Sequence, residues 1–183
     1  DLLYDVGIIK ERKLLEVERK DLVGKHIGQT AIRTGEIIER ALNGVLFIDE
    51  AYTLATQKGS NDFGGEAIAT LIKAMEDHKG DLIVIFAGYK DEMRHFENAN
   101  PGIASRIGYR FEFEDYSTDE LVSMYQIMAR NSGFNVSADA LDKTKTVMDY
   151  YVRKKNFGNG RFVSRLWQNT LTKHALQYND NSI

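Results

Sequence analysis

The chain has 183 residues, a length typical of one domain or of a domain with a small satellite. Its net charge of −3 argues against nucleic acid as a partner, and the absence of cysteine excludes disulfide scaffolds, thiolate metal sites and cysteine nucleophiles. No apolar run approaches the ~18 residues that a membrane span needs, and the first residues lack a signal-peptide pattern. Composition therefore predicts a soluble, cytoplasmic protein that binds neither nucleic acid nor membrane.

The first two-thirds of the chain alternate between strand and helix patterns. Runs at Leu14–Glu18, Val45–Ile48 and Leu82–Ala87 predict strands, and Val45–Ile48 is typical of a strand buried on both faces. Helical spacing between the runs predicts two crossover helices, of which the first is closed by Asn43-Gly44 as a helix stop and the second is followed by Gly80. This alternation predicts a parallel sheet with helices on both of its faces.

The pattern changes in the last third of the chain. Tyr109–Phe113 alternates with period two, which predicts one more strand nearer to the edge of the sheet. Ser117–Glu120 has the form of a capping box, and apolar residues at helical spacing follow it. Two further helices are predicted around Leu141–Val152 and Val163–Leu171. From about residue 117 onward, the chain is therefore expected to be helical.

The sharpest chemical signal is a pair of acids at the end of a predicted strand. Val45–Ile48 is followed at once by Asp49 and Glu50. Ligand sites in open α/β sheets lie outside the carboxyl ends of the strands. One carboxylate there can hold a hydrated Mg²⁺, and the next can polarise a water for attack on a phosphate. This is the Walker B arrangement of P-loop ATPases, with Asp49 on the metal side and Glu50 on the water side; the alternative is a structural strand followed by a helix-capping acid.

Several segments occur together along the chain in the order typical of one known family. They are Asp21–Thr30, Gly44–Leu54, Phe86–Tyr89, Asn100–Ile107 and Gly158–Val163. Through these segments the chain resembles the AAA+ ATPases, and within them the branch that contains the red-type Rubisco activases and stage V sporulation protein K. The resemblance implies an α/β core with an AAA+ P-loop-type parallel sheet over residues 1–115, joined to a small C-terminal α-helical lid over residues 116–183.

The resemblance also implies roles for single residues around a nucleotide. Arg106 matches the arginine finger, which reaches into the nucleotide of the neighbouring subunit. Arg161 matches the second sensor, an arginine of the lid that contacts the bound nucleotide. Tyr89 is a candidate for the first sensor, because Gly88-Tyr89 stands where the family usually has a polar residue.

A further match is to the first pore loop, the segment that grips a threaded polypeptide in this family. The matching residues are Lys25, His26, Ile27 and Gly28. His26 takes the position that is usually aromatic; histidine can stack, but it also titrates near neutral pH. The alternative interpretation is a solvated turn.

One departure from the family pattern concerns the phosphates. The motif G-x-x-x-x-G-K-[ST], whose amides and lysine hold the phosphates, does not occur in the 183 residues. The chain therefore resembles a family member that begins just after this motif, without the first strand. In the family that strand is central, between the strands matching Leu82–Ala87 and Tyr109–Phe113. We expect the chain by itself to pair those two strands, or to fill the gap with a second chain. In both cases it should neither bind Mg-ATP tightly nor hydrolyse it.

The resemblance implies that the intact protein binds ATP and Mg²⁺, hydrolyses ATP in a homohexameric ring and remodels or threads a protein partner. Two alternatives remain at this stage. In the first alternative, the chain is a non-hydrolysing scaffold that binds protein, because the phosphate loop is absent from it. In the second alternative, Asp49 accepts a phosphoryl group in a phospho-signalling domain. Such a domain would also need an acidic pair after the first strand and a lysine after the last strand.

Overall fold

A computed structural model describes residues 2–26, 28–55, 62–154 and 157–180 of the chain. The chain divides into two compact units, of which one ends at Glu112 and the other begins at Phe113. Each unit encloses its own apolar core. Across the described ranges, no helix is both long enough and apolar enough to cross a lipid bilayer.

Within the described residues, the first unit is built on a three-stranded parallel sheet. Its strands are β1 (Leu14–Val17), β2 (Val45–Ile48) and β3 (Ile83–Phe86), in that order across the sheet. Leu46 of β2 pairs with Leu15 on one side and with Val84 on the other. The continuous apolar run of β2 fits its central place, and the parallel α/β sheet confirms the predicted fold class.

Helices precede, connect and follow these strands. They are α1 (Leu2–Asp5), α2 (Arg19–Leu22), α3 (Gln29–Ala41), a 3-10 helix (Ala51–Ala55), α4 (Gly64–Asp77), α5 (Lys90–Ala99) and α6 (Pro101–Ala104). Asn43 after α3 and Gly80 after α4 both adopt left-handed backbone, with φ of 65° and 95°. Asn43 directly follows the C-cap of α3 and confirms the predicted helix stop, because a left-handed residue at that position commonly ends a helix, whereas Gly80 lies in the turn between α4 and β3.

The two crossover helices, α3 and α4, pack against each other and against the same face of the sheet. Right-handed crossovers that step in one direction across a sheet place their helices on one side, and the order β1-β2-β3 steps in one direction. On the opposite face, Leu14 is 65% exposed and Ile85 is 37% exposed. The expectation that the two crossover helices cover both faces is therefore wrong.

Residues 107–116 form neither helix nor strand, so the strand predicted at Tyr109–Phe113 is wrong. Tyr109, Phe111 and Phe113 are 83%, 82% and 94% exposed. A strand needs a neighbour for its backbone N–H and C=O groups, and in the described part of the chain β3 pairs only with β2. The expected pairing of this segment with β3 does not form either.

The second unit is helical, as predicted, and consists of α7 (Thr118–Asn131), α8 (Ala138–Val152) and α9 (Asn159–Asp180) in the described residues. Ser117 caps α7 through the predicted capping box: its hydroxyl accepts from the Glu120 N–H, and the Glu120 carboxylate accepts from the Ser117 N–H at 2.8 Å. The core of this unit contains Leu121, Tyr125, Ala129, Met148, Val163 and Trp167.

Candidate functional site

Asp49 and Glu50 follow β2 directly, at the carboxyl edge of the sheet. Asp49 is half-buried and Glu50 is exposed. The N–H of Asp49 donates to the carbonyl of Val17 on β1 at 2.9 Å, and the N–H of Ala51 donates to the carbonyl of Ala87, just after β3, at 2.9 Å. The backbone on both sides of Glu50 is thereby fixed to the two neighbouring strands.

Glu50 itself has a left-handed backbone, with φ of 47°. For a residue with a Cβ atom this conformation costs roughly 1 to 2 kcal/mol. Its N–H donates to Oδ1 of Asp49 at 2.9 Å, and its carbonyl accepts from the N–H of Thr53 at 2.9 Å. The surrounding hydrogen bonds therefore hold a sharp turn, which we call the Asp49–Glu50 turn, at the end of β2. Strained backbone that its surroundings hold in place is typical of functional sites.

A cleft of about 390 Å³ opens beside the Asp49–Glu50 turn. Its walls come from the segments that follow β1 and β2, and they carry side chains of both charges. The lining residues are Glu18, Arg19, Lys20, Val23, Asp49, Glu50 and Thr53. Both carboxylates therefore face a space that a ligand can enter.

The carboxylates of this turn suit a Mg²⁺ ion that keeps several water ligands, and not a metal ion that is bound by protein side chains alone. In the described residues, no group of three or more His, Cys, Asp or Glu side chains is placed to hold a metal ion. Mg²⁺ is usually bound through one or two carboxylates, with water and phosphate oxygens completing its octahedron. Asp49 supplies one such carboxylate at the edge of the cleft, so the turn fits a hydrated Mg²⁺, with Glu50 left beside it.

Tyr89 lies close to the Asp49–Glu50 turn. It directly precedes α5, is 63% exposed, and its ring centroid lies 6.4 Å from that of Tyr52. Burial raises the pKa of Tyr52, and the charge of Glu50 raises it further. The structure therefore brings Asp49 and Glu50 together in one turn, and it places Tyr89 beside Tyr52, a residue just after that turn that sequence analysis missed.

Sequence analysis also missed Arg19, which connects three segments beside the cleft. One guanidinium nitrogen, Nη1, donates to the carbonyl of Thr53 at 2.7 Å, and Nη2 donates to Oδ1 of Asp62 at 2.6 Å. Burial alone would raise the pKa of Asp62, but the hydrogen bonds from Arg19 and from the Gly64 N–H hold it below its ordinary value. The sequence signal that could have identified Arg19 is its position just after β1, the strand next to the one that ends in the acidic pair.

Arg106 lies away from the Asp49–Glu50 turn. Its Nη1 donates to the carbonyl of Gly102 at 3.0 Å, and its Nη2 donates to Oε2 of Glu76 at 3.1 Å. Glu76 is near the end of α4, about 18 Å along the helix axis from Gly64 at the start. Because Gly64 packs against the 3-10 helix that follows Glu50, Arg106 lies at the far end of α4.

The predicted pore loop lies on the surface of the first unit, before α3. Lys25 and His26 are exposed, and the carbonyl of His26 accepts from the N–H of Gln29 at 3.2 Å. Gly28 directly precedes α3 with φ of 79°, a conformation that favours glycine. Ile27 lies outside the described residues.

Arg161 lies in the second unit, where it is exposed at the third residue of α9. The helix begins at Asn159, which has a left-handed φ of 43°. The Asn159 side-chain amide donates to Oδ1 of Asp115 at 2.6 Å and accepts from the N–H of Tyr116 at 3.2 Å. These bonds fasten the start of the helix that carries Arg161 to the segment before α7.

Comparison with known proteins places both units in one family. Residues 6–115 match the model of the ATPase family associated with various cellular activities (AAA). Residues 117–182 match the model of the AAA lid domain.

Curated relatives agree with this assignment. The chain is 42% identical over 166 residues to a chloroplastic ribulose bisphosphate carboxylase/oxygenase activase of Cyanidioschyzon merolae, covering 89% of this chain and 56% of that protein. It is 42% identical over 166 residues to a CfxQ homolog of Pyropia yezoensis, covering 89% of this chain and 54% of that protein. It is 40% identical over 182 residues to stage V sporulation protein K of Bacillus subtilis, covering 96% of this chain and 55% of that protein. The chain thus spans about half the length of these relatives, and it belongs to the AAA ATPase family, with an α/β ATPase domain followed by a lid domain.

Proposed function

We propose that the whole protein hydrolyses ATP in a hexameric ring and uses that reaction to remodel or thread a protein partner. The observation that supports this most directly is the Asp49–Glu50 turn. Two adjacent carboxylates follow the central strand at the carboxyl edge of the sheet, and hydrogen bonds to both neighbouring strands fix the backbone around them. In a chain of the AAA family, that placement favours the Walker B function for the pair.

In this proposal the two carboxylates have different tasks. Asp49 holds the hydrated Mg²⁺ that accompanies ATP, and Glu50 orients the attacking water and accepts its proton. A bound Mg²⁺ neutralises charge on the phosphates. Tyr89 acts as the first sensor beside Glu50, since its ring neighbours that of Tyr52. Arg161 acts as the second sensor from the lid.

Arg106 acts in trans in this proposal, on the nucleotide of a neighbouring subunit. Its position at the far end of α4, about 18 Å along the helix from the start of α4, supports this assignment. From there the guanidinium is badly placed to reach a nucleotide beside Asp49 of its own subunit. A ring of subunits would bring each Arg106 to the next active site.

The protein partner is supported by the names of the relatives and by the surface loop. The ribulose bisphosphate carboxylase/oxygenase activase among them is named for an action on another protein. The exposed turn at Lys25 and His26 is suited to contact a polypeptide, with His26 as the gripping side chain. We assign Lys25, His26, Ile27 and Gly28 to this loop.

Glu50→Gln in the whole protein tests the central assignment. The amide keeps the size of the side chain and can still bind water, but it cannot take up a proton. We expect ATP binding to persist and turnover to fall about 10²-fold or more, the usual contribution of a general base. Glu36→Gln, at an exposed glutamate on α3, is the matched control and should turn over like the wild type. Turnover of Glu50→Gln within about threefold of the wild type would contradict the assignment.

A second candidate function is a scaffold that binds protein without hydrolysing ATP. The absence of the G-x-x-x-x-G-K-[ST] motif from the 183 residues favours it for this chain taken alone. Isothermal titration of residues 1–183 with Mg-ATP measures the consequence, and we expect no micromolar binding. A whole protein that binds its partner but shows no ATP turnover would favour the scaffold.

A further inference from the structure

The turn that carries Glu50 depends on a contact outside the acidic pair. The carbonyl of Glu50 accepts from the N–H of Thr53, and the carbonyl of Thr53 accepts from Nη1 of Arg19 at 2.7 Å. Two hydrogen bonds through one residue therefore connect the Arg19 guanidinium to the left-handed Glu50 backbone. The same guanidinium reaches Asp62, two residues before α4.

The ion pair between Arg19 and Asp62 is largely buried. The side chain of Arg19 is 20% exposed and that of Asp62 is 13% exposed. Oδ1 of Asp62 also accepts from the N–H of Gly64 at 2.9 Å. A Cβ atom on Gly64 would lie 2.0 Å from the carbonyl oxygen of Leu54 and 2.7 Å from Nη1 of Arg19, so the space beside the guanidinium is filled. Charge-assisted bonds at such a site are stronger than those between exposed ions.

We propose that Arg19 is a positioning residue for Glu50. Through Thr53 it holds the 3-10 helix (Ala51–Ala55) in place, and so preserves the backbone conformation that sets where the Glu50 carboxylate lies. The proposal rests on the function proposed above for Glu50, because a positioned base matters only where that base acts. A displacement of about 1 Å at a reacting group can cost about 10²-fold in rate.

The geometry requires arginine in particular. A planar guanidinium presents several N–H groups in a fixed fork, so two of its nitrogens reach two acceptors on different segments at once. Lysine carries a single ammonium group, and at this position it would reach one of the two acceptors well. Arg19→Lys is therefore expected to keep part of the effect, whereas Arg19→Met removes both contacts and keeps much of the apolar stem.

The first experiment follows amide hydrogen exchange in residues 1–183, and it does not depend on ATP hydrolysis. We expect Arg19→Met to speed exchange of the Thr53 amide about tenfold or more, as expected when a charge-assisted hydrogen bond is lost. Arg19→Lys and Asp62→Asn should give smaller increases, and exchange within α7 should not change. Arg12→Met removes an exposed arginine that pairs with Asp5 at 2.8 Å, so it serves as the control. Unchanged Thr53 exchange in Arg19→Met would overturn the proposal.

The second experiment is a double-mutant cycle on turnover by the whole protein. We expect Arg19→Met to lower kcat about tenfold to 10²-fold, with little change in the KM for ATP, and to cause no further loss in a Glu50→Gln background. Losses that multiply in the double variant would overturn action through Glu50. If Arg19→Met does not fold, Arg19→Lys takes its place in both experiments. A Glu50→Gln variant with normal turnover would refute the proposed function, while the exchange measurement would still decide whether Arg19 holds the turn.

Discussion

Arg106 and Glu76 form an ion pair within one chain, with Nη2 of the arginine 3.1 Å from Oε2 of the glutamate. The Glu76 side chain is 66% exposed and that of Arg106 is 31% exposed. Exposed pairs of this kind contribute about 0 to 1 kcal/mol, because water screens both charges. In the ring proposed above, such a weak pair leaves the guanidinium available to a phosphate group of the neighbouring subunit's nucleotide.

We predict that Arg106→Ala lowers ATP turnover by the whole protein roughly 10³-fold, as removal of an arginine finger does. Arg94→Ala, at an exposed arginine on α5, is the control and should leave turnover unchanged. Mixing tests the action in trans. Arg106→Ala subunits keep Glu50, and Glu50→Gln subunits keep Arg106, so mixed rings contain some complete sites. Turnover that stays at the level of the separate variants after mixing would count against a shared site.

For the surface loop, we predict that His26→Ala leaves ATP turnover within about twofold of the wild type and abolishes remodelling of the protein partner, since loss of a hot-spot contact weakens binding strongly. His26→Tyr should keep both activities, because an aromatic ring can stack on a polypeptide. His95→Ala, at an exposed histidine on α5, is the control. Remodelling that survives His26→Ala would identify the position as an ordinary surface turn.

Two adjacent glycines at the start of α4 should respond in opposite directions to substitution by alanine. A Cβ atom on Gly64 would lie 2.0 Å from the Leu54 carbonyl oxygen, whereas a Cβ atom on Gly65 would meet nothing within 4 Å. We predict that Gly64→Ala lowers the free energy of unfolding of the first unit by about 1 to 3 kcal/mol. Gly65→Ala should raise it by up to about 1 kcal/mol, because alanine is the better helix former. Urea unfolding followed by circular dichroism measures both, and equal effects would contradict the predicted close contact.

The capping box of α7 gives a prediction for the second unit. Ser117→Ala should lower its free energy of unfolding by about 1 kcal/mol, whereas Ser123→Ala, at an exposed position inside the same helix, should be nearly neutral. Thermal unfolding of the two variants measures the difference. An equal effect of both substitutions would show that the cap does not stabilise the helix.

The same capping box predicts a pH dependence. Hydrogen bonds from the Ser117 N–H and hydroxyl hold the pKa of Glu120 below its ordinary value of 4.5. A carboxyl with a lowered folded pKa contributes stability that is present above the unfolded pKa and is lost as the pH falls through the folded pKa. Glu120→Gln should therefore lower stability at neutral pH and weaken its loss in acid. Unfolding midpoints measured from neutral pH down to below 4.5 check this, and parallel curves for the two proteins would contradict it.

The features of the fold and of the site that the sequence could predict are local in the chain. Val45–Ile48 and the two acids after it are contiguous, so an apolar strand and its terminal carboxylates appear in a single window. The capping box of α7 is equally local. The whole of each pattern lies within a few residues, and the structure has both the strand and the cap where they were expected.

The parts that sequence could not predict depend on distant residues. Arg19 meets Asp62 across 43 positions and Arg106 meets Glu76 across 30, without any periodic signal that connects them. The strand prediction at Tyr109–Phe113 was wrong for the same reason. Alternation shows that a segment can form a strand, but a strand also needs a partner edge, and the sequence pattern of the segment does not contain that partner.

Trp167 is the single tryptophan of the chain, and it lies in the core of the second unit, where it is 6% exposed. Its ring meets those of Tyr125 and Phe134 edge to face, at centroid distances of 5.4 Å and 5.8 Å. Selectively excited indole fluorescence therefore reports on the core of the lid, whereas the unit that carries Asp49 and Glu50 contains no tryptophan. Circular dichroism, to which both units contribute helices, registers the whole chain. The chain thus contains a native optical probe that reports on the lid without any label.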